Sequence, residues 1–182
     1  GYFKNQLKAN DEVLLTKSEH ASNLLPWFRL SKSNNLKISY ISLASNYEVT
    51  LENVKKAITT NTKVISIAHV TNVVGDVRPL KAIIAYAHSL GILVVVDAAQ
   101  SIPHMSVDVK DLDVDFMAFS AHKMGGPTGA GVLYGKESLL EKMDSLNLGG
   151  GMNESFTANG DFLLKEIPSR LEAGTPNIAG VI

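Results

Sequence analysis

Residues 79–97 place a helix and a strand back to back. Pro79 opens the helix, apolar residues follow at Leu80, Ile83, Ile84, Ala87 and Leu90, and Gly91 closes it as a left-handed cap. Ile92–Val96 is then continuously apolar and mostly β-branched, the pattern of a strand buried on both faces of a parallel sheet. The alternation recurs along the chain. Glu12–Leu15, Leu36–Leu43 and Val64–Ala68 read as strands, and Thr50 is an N-cap for a helix with Leu51, Val54 and Ile58 on one face. Phe116–Phe119 and Gly131–Tyr134 are short strands separated by a glycine loop, expected to pair antiparallel. Lys136–Leu146 reads as a helix with Leu139, Leu140, Met143 and Leu146 inward, and the stretch from Gly149 to Ile167 as a loop. This succession predicts an α/β fold, a three-layer sandwich with a mostly parallel sheet. Ligands of such sheets bind beyond the carboxyl ends of the strands. Polar residues that finish a buried strand are therefore expected to converge.

Composition narrows the classes of function. The 17 basic and 18 acidic residues leave a net charge of -1, which gives no reason to expect nucleic acid or an anionic membrane as partner. No apolar run approaches the roughly 20 residues of a membrane span, and the opening GYFKNQLKAND lacks the apolar core of a signal peptide. A cytoplasmic protein is expected. There is no cysteine, so disulfides and thiolate metal sites are excluded within these residues. Both ends read as cuts in a longer chain, because the last residues, Asn177–Ile182, are mostly apolar.

Four strand ends carry chemical groups: His20; His69, Thr71 and Asn72; Asp97 and Gln100; and Ser120, His122 and Lys123. Lys123 stands between the apolar run Phe116–Phe119 and the turn-forming GGPTGAG. Most lysines are solvated charges, but an amine held in such a place can attack a carbonyl when neutral. Five apolar residues precede Asp97, so its carboxylate starts at the rim of a core and needs a partner. That partner is a loop hydrogen bond or a protonated ring nitrogen. No second carboxylate lies at ligand spacing and the histidines are scattered, so no metal is expected. Lys123 and Asp97 together are what a pyridoxal phosphate (PLP) site requires, an amine and a counter-charge for the pyridine nitrogen. His20 either caps a loop or lies flat on an aromatic cofactor. Asn72 and Gln100 are loop amides or donors to a phenolate oxygen or a substrate carboxylate. Ser120 and His122 flank Lys123 and can address a phosphate. The glycine loop matches neither a Walker A nor a dinucleotide pattern.

With these residues in hand, the chain resembles the class V aminotransferase group of fold-type I PLP enzymes, and within it the SufS-type cysteine desulfurases. The resemblance spans essentially all 182 residues and is carried by SEHASNLLPW (18–27), HVTNVVGDVRP (69–79), VVVDAAQS (94–101), FSAHKMGGPTGAGVLYGK (119–136) and SRLEAGTPNIAG (169–180). It implies that residues 1–182 are part of the large PLP-binding domain, with a C-terminal small domain and an upstream phosphate loop outside them. By position, Lys123 would attach the cofactor, His20 would stack on its ring, Lys123 or His20 would move protons, Asp97 would pair with the ring nitrogen and Gln100 would meet the phenolic oxygen. Ser120 and His122 would hold the phosphate, and Asn72 would lie near the ring oxygen and the substrate carboxylate. In a homodimer, Thr175 would reach the phosphate of the other subunit. Arg170 matches a family position without an assigned role; an ion pair is the expectation.

The implied activity is conversion of L-cysteine to L-alanine, with the sulfur left as a persulfide on an enzyme cysteine and passed to a SufE/SufU-like acceptor for iron–sulfur assembly. Without that cysteine, this segment alone is expected to be inactive. A selenocysteine lyase, a kynureninase-like enzyme and a non-catalytic fold-type I domain are the alternatives.

Overall fold

The computed structural model describes residues 1–182. In chain order its elements are α1 (Tyr2–Gln6), β1 (Glu12–Thr16), α2 (Leu25–Asn34), β2 (Lys37–Ile41), α3 (Leu51–Ala57), β3 (Thr62–Ala68), α4 (Leu80–Ser89), β4 (Leu93–Asp97), α5 (Val109–Leu112), β5 (Phe116–Ser120), β6 (Gly131–Gly135), α6 (Glu137–Leu140), β7 (Asn153–Phe156), β8 (Phe162–Leu164) and α7 (Ile178–Val181). Six strands form one sheet in the order β2-β1-β3-β4-β5-β6. β1 to β5 run parallel, and β6 returns antiparallel beside β5.

Helices cover both faces. Leu80, Ile83, Ile84 and Ala87 of α4 and Val54 of α3 pack with Leu14, Ile65, Ile67, Val94, Val96 and Met117 on one face. On the other, Trp27 of α2, Phe3 of α1 and Leu7 meet Val13, Leu15, Val64 and Val95. Each fully buried Leu or Ile contributes roughly 1.5–3 kcal/mol relative to exposure, so α4 is held by its apolar stripe. Thr50 and Asn53 form a reciprocal cap at the start of α3, and Gly91 ends α4 at φ +70°, in the left-handed region.

Several expectations change. Burial on both faces belongs to β1, all five of whose residues are buried. β4 alternates between buried and half-buried, because the α1/α2 layer covers β1 and β3 more fully than β4. The helix expected over 136–146 stops at Leu140, and Leu146 is 80% exposed. Arg170 donates through Nη2 to the carbonyls of Leu140 and Glu141. It ends α6 as a side-chain cap and forms no carboxylate pair. The expected loop contains a hairpin, β7 with β8.

Candidate functional site

The strand order reverses between β1 and β3. From β1 the chain passes through α2 to β2 on one side, then returns to the other side of β1 as β3. Such a reversal opens a crevice at the carboxyl ends of the strands, where open α/β sheets bind ligands. His20 follows β1 and Asn72 follows β3, so the two flank this crevice.

Asp97 and Lys123 extend the same edge. Ala68, Asp97 and Ala118 are register partners on β3, β4 and β5, and His69 N donates to the Asp97 carbonyl at 2.9 Å. Partners in parallel strands share a face, so the Asp97 carboxylate stands between two alanines. It follows Val95 on the face covered by α1 and α2, with Ala118 exposed and Ser120 half-buried. The small neighbours leave an open shelf beside the carboxylate. From β1 to β5 the edge spans three strand spacings, about 14 Å.

Lys123 lies in the 3-10 turn Ala121–Met124 beyond β5, half-buried. Gly125 closes the turn at φ +86°, and Gly126 N donates to the Ala121 carbonyl at 2.9 Å. A Cβ on Gly126 would lie 2.9 Å from the Ala121 Cβ and 3.1 Å from its carbonyl oxygen. The glycine lets the loop fold back against the base of the lysine turn. Neither Lys123 nor Asp97 belongs to any ion pair.

His20 and Asp97 each commit one side-chain atom to a local backbone bond. Asp97 Oδ1 accepts from Ala99 N at 2.9 Å. His20 Nδ1 accepts from Ser22 N at 3.2 Å, which puts the proton of the neutral ring on Nε2. Asp97 Oδ2 and His20 Nε2 remain available to a ligand. Asn72 and His122 are exposed, and Gln100 is half-buried. Thr175 stands apart from the edge: its segment packs against residues 140–150 through Arg170 and the Gly174 N bond to the Gly150 carbonyl at 2.8 Å.

A buried polar network beneath the edge was not singled out in the sequence. Glu19 and Arg78 have fully buried side chains and form an ion pair. Glu19 also accepts from Thr16 Oγ1 at 2.6 Å, Asn23 Nδ2 at 2.7 Å and Ala68 N at 2.8 Å. Arg78 Nη2 donates to Ser18 Oγ at 2.8 Å and Thr16 Oγ1 at 3.0 Å, and Nη1 to the Ala68 carbonyl at 3.3 Å. Ser66 Oγ donates to Asn23 at 2.6 Å, and Arg78 Nε lies 3.6 Å from Asp76. His69 is buried, its Nδ1 has no partner, and burial lowers its pKa.

The opposite edge is structural. Asp115 accepts from Val94 N at 2.7 Å and lies 2.8 Å from His88 Nε2 and 3.1 Å from Lys136. Burial acts to lower the Lys136 pKa, but Asp113 and Asp115 outweigh it and the net shift is upward. A cavity of about 580 Å³ lies between residues 46–51 and 74–79; the shelf beside Asp97 is open. No helix is long and apolar enough to cross a membrane.

PLP is a planar aldehyde phosphate with a basic ring nitrogen. The edge offers a lysine amine, a carboxylate with one uncommitted oxygen, an available imidazole, and a hydroxyl and a second imidazole flanking the lysine. These donors suit the group chemically, and the alanines beside Asp97 leave room for a flat ring.

The family model for class V aminotransferases matches residues 1–182. A probable cysteine desulfurase of Halalkalibacterium halodurans is 45% identical over all of this chain and 44% of its own length. The crystal structure of the cysteine desulfurase CsdA from Escherichia coli superposes with a TM-score of 0.95 at 39% identity, over 99% of this chain and 45% of that one. The apo cysteine desulfurase of Thermococcus onnurineus gives 0.92 at 40% identity, over 98% and 44%. The chain thus spans less than half the length of the relatives it matches.

Proposed function

This chain belongs to the class V aminotransferase family, and from that premise we propose that its protein is a PLP-dependent cysteine desulfurase of the SufS type. The observation that carries the reading is the Lys123 turn at the open end of β5, with Asp97 finishing β4 beside it. In this reading residues 1–182 form part of the large cofactor domain of a cytoplasmic homodimer.

The residues divide the work. PLP, when bound, supplies an electron sink for bonds at the substrate α-carbon. Lys123 Nζ would attach the cofactor, and Lys123 and His20 would be the groups placed to move protons. Asp97 Oδ2 would hold a proton on the ring nitrogen, and Gln100 would address the phenolic oxygen. His20 would stack on the ring and present Nε2–H. Ser120 and His122 hold the phosphate, with Thr175 of the other subunit completing that site. Asn72 orients the substrate carboxylate from the crevice wall. The nucleophile is a thiolate outside these residues, since the chain has no cysteine. It takes the substrate sulfur, leaving L-alanine and a persulfide for a SufE/SufU-like acceptor in iron–sulfur assembly.

The test is a spectrum of the full-length protein with PLP, followed by L-cysteine. A protein-bound cofactor band, and alanine and sulfide formed in the presence of a reductant, are expected. Lys123→Ala is expected to remove both band and turnover. Retention of both in the variant would overturn the assignment.

A further inference from the structure

We propose that the buried Glu19–Arg78 pair is a positioning device that holds the His20 turn against the loop bearing Asn72, and so tunes cofactor affinity through His20. The proposal rests on the cofactor reading above. Both side chains are fully buried. A buried ion pair is a poor source of net stability, because desolvation offsets much of the attraction and an apolar pair of similar volume often serves as well. What the pair supplies here is geometry.

It lies at the reversal between β1 and β3 and joins partners that are 59 residues apart. Glu19 directly precedes His20. Its carboxylate gathers the end of β1 through Thr16, the 3-10 turn through Asn23 and the end of β3 through Ala68 N. Arg78 closes the loop that begins at His69: its backbone N donates to the His69 carbonyl at 3.0 Å, and Val70 bridges Val77 within the loop. The guanidinium addresses Glu19 and the Ala68 carbonyl through Nη1, and Thr16 and Ser18 through Nη2. A lysine is a single point donor and cannot span both sets. Two walls of the crevice are therefore locked by one planar fork. The His20 side chain bonds only to Ser22, and its carbonyl accepts from Asn23 N at 2.8 Å within the same turn, so its place depends on the turn being held.

The experiment titrates PLP into full-length apoprotein carrying Arg78→Lys, His20→Ala or both, with cofactor absorbance and visible circular dichroism as readouts. Arg78→Lys is expected to stay folded by far-ultraviolet circular dichroism, to bind PLP roughly 10–100-fold more weakly, the size of effect seen when residues that orient metal ligands are lost, and to lose dichroism in the cofactor band. In the His20→Ala background the same substitution is expected to change affinity far less, because the two act as one unit. A lower melting temperature with wild-type affinity and dichroism would overturn the proposal, as would an equal affinity loss with and without His20. If Arg78→Lys does not fold, Ser18→Ala is read by the same rule, since it removes one half-buried acceptor of Nη2 and its bond to Thr16 Oγ1 while leaving the Glu19 pair in place; a loss of about 2–10-fold is expected. A wild-type protein that takes up no PLP refutes the cofactor reading itself, and the proposal with it.

Discussion

Glu12 is the clearest place to test how the floor of the sheet is held. It starts β1, with Lys37 of β2 and Thr62 of β3 as its register partners. Its side chain is fully buried and accepts from Thr62 at 2.8 Å, Ser39 at 2.9 Å and Thr59 at 3.1 Å, while Lys37 lies 2.9 Å away and is mostly exposed. Glu12→Gln preserves shape and leaves an amide oxygen for the two threonines. It gives up the charged character of these bonds, worth about 1 kcal/mol relative to neutral ones, and an ion pair worth about 0–1 kcal/mol with so exposed a lysine. A loss of about 1–2 kcal/mol at pH 7 is expected. Glu12→Leu also takes the acceptor from the buried Thr62 hydroxyl, which keeps the bond from Thr59 N at 2.9 Å and has only Thr59 Oγ1 at 3.4 Å in its place, and about 2–3 kcal/mol is expected.

The sign with pH is fixed by the carboxyl. Burial pushes its pKa up, but Lys37, Thr62, Ser39 and Thr59 together outweigh burial and the net shift is downward. A depressed acid contributes stability that is present above the unfolded value of about 4.3 and fades as pH falls through the folded value. The wild-type and Glu12→Gln curves, followed by urea unfolding between pH 7 and pH 3, are therefore expected to converge on the acid side. A difference that stays constant over that range would refute the argument.

Two further outcomes are expected. Burial depresses the His69 pKa, so below about 6.5 the unfolded chain takes a proton that the folded chain refuses. Stability should fall as pH drops from there, and His69→Gln should flatten that part of the urea-midpoint profile; an unchanged slope would count against it. Gly126→Val should cost about 1–3 kcal/mol through its contact with Ala121 and weaken PLP binding, measured by thermal melting and cofactor titration; a variant matching wild type in both would show that the loop does not brace the lysine turn.

The elements that the sequence predicted well are those whose signal is local. The α4 stripe and its glycine cap lie within 12 residues, and the β5–β6 pairing needs only a short loop between two apolar runs. Over 136–146 the leucine spacing satisfied a helical period, but α6 ends where Arg170, some thirty residues later, caps its carbonyls. Local periodicity cannot register a partner at that distance. The β7–β8 hairpin escaped for a related reason: Phe156, Phe162 and Leu163 remain exposed, so the two strands lack the half-buried alternation by which a strand is read.

The same division runs through the site. Lys123 and Asp97 stood out because each breaks an apolar run, a contrast visible along the chain. Glu19 and Arg78 carry charges in polar surroundings, where a charge is ordinarily read as solvated. Only the reversal of strand order between β1 and β3 brings their segments together and excludes water from both side chains. Ser66 gives the one local hint, a hydroxyl inside the otherwise apolar run Val64–Ala68, and its partner proves to be Asn23 at 2.6 Å. Groups that meet a ligand can thus be found from the ends of strands. Groups that hold them in place depend on the topology, so their function has to be tested through coupling to the residues they support.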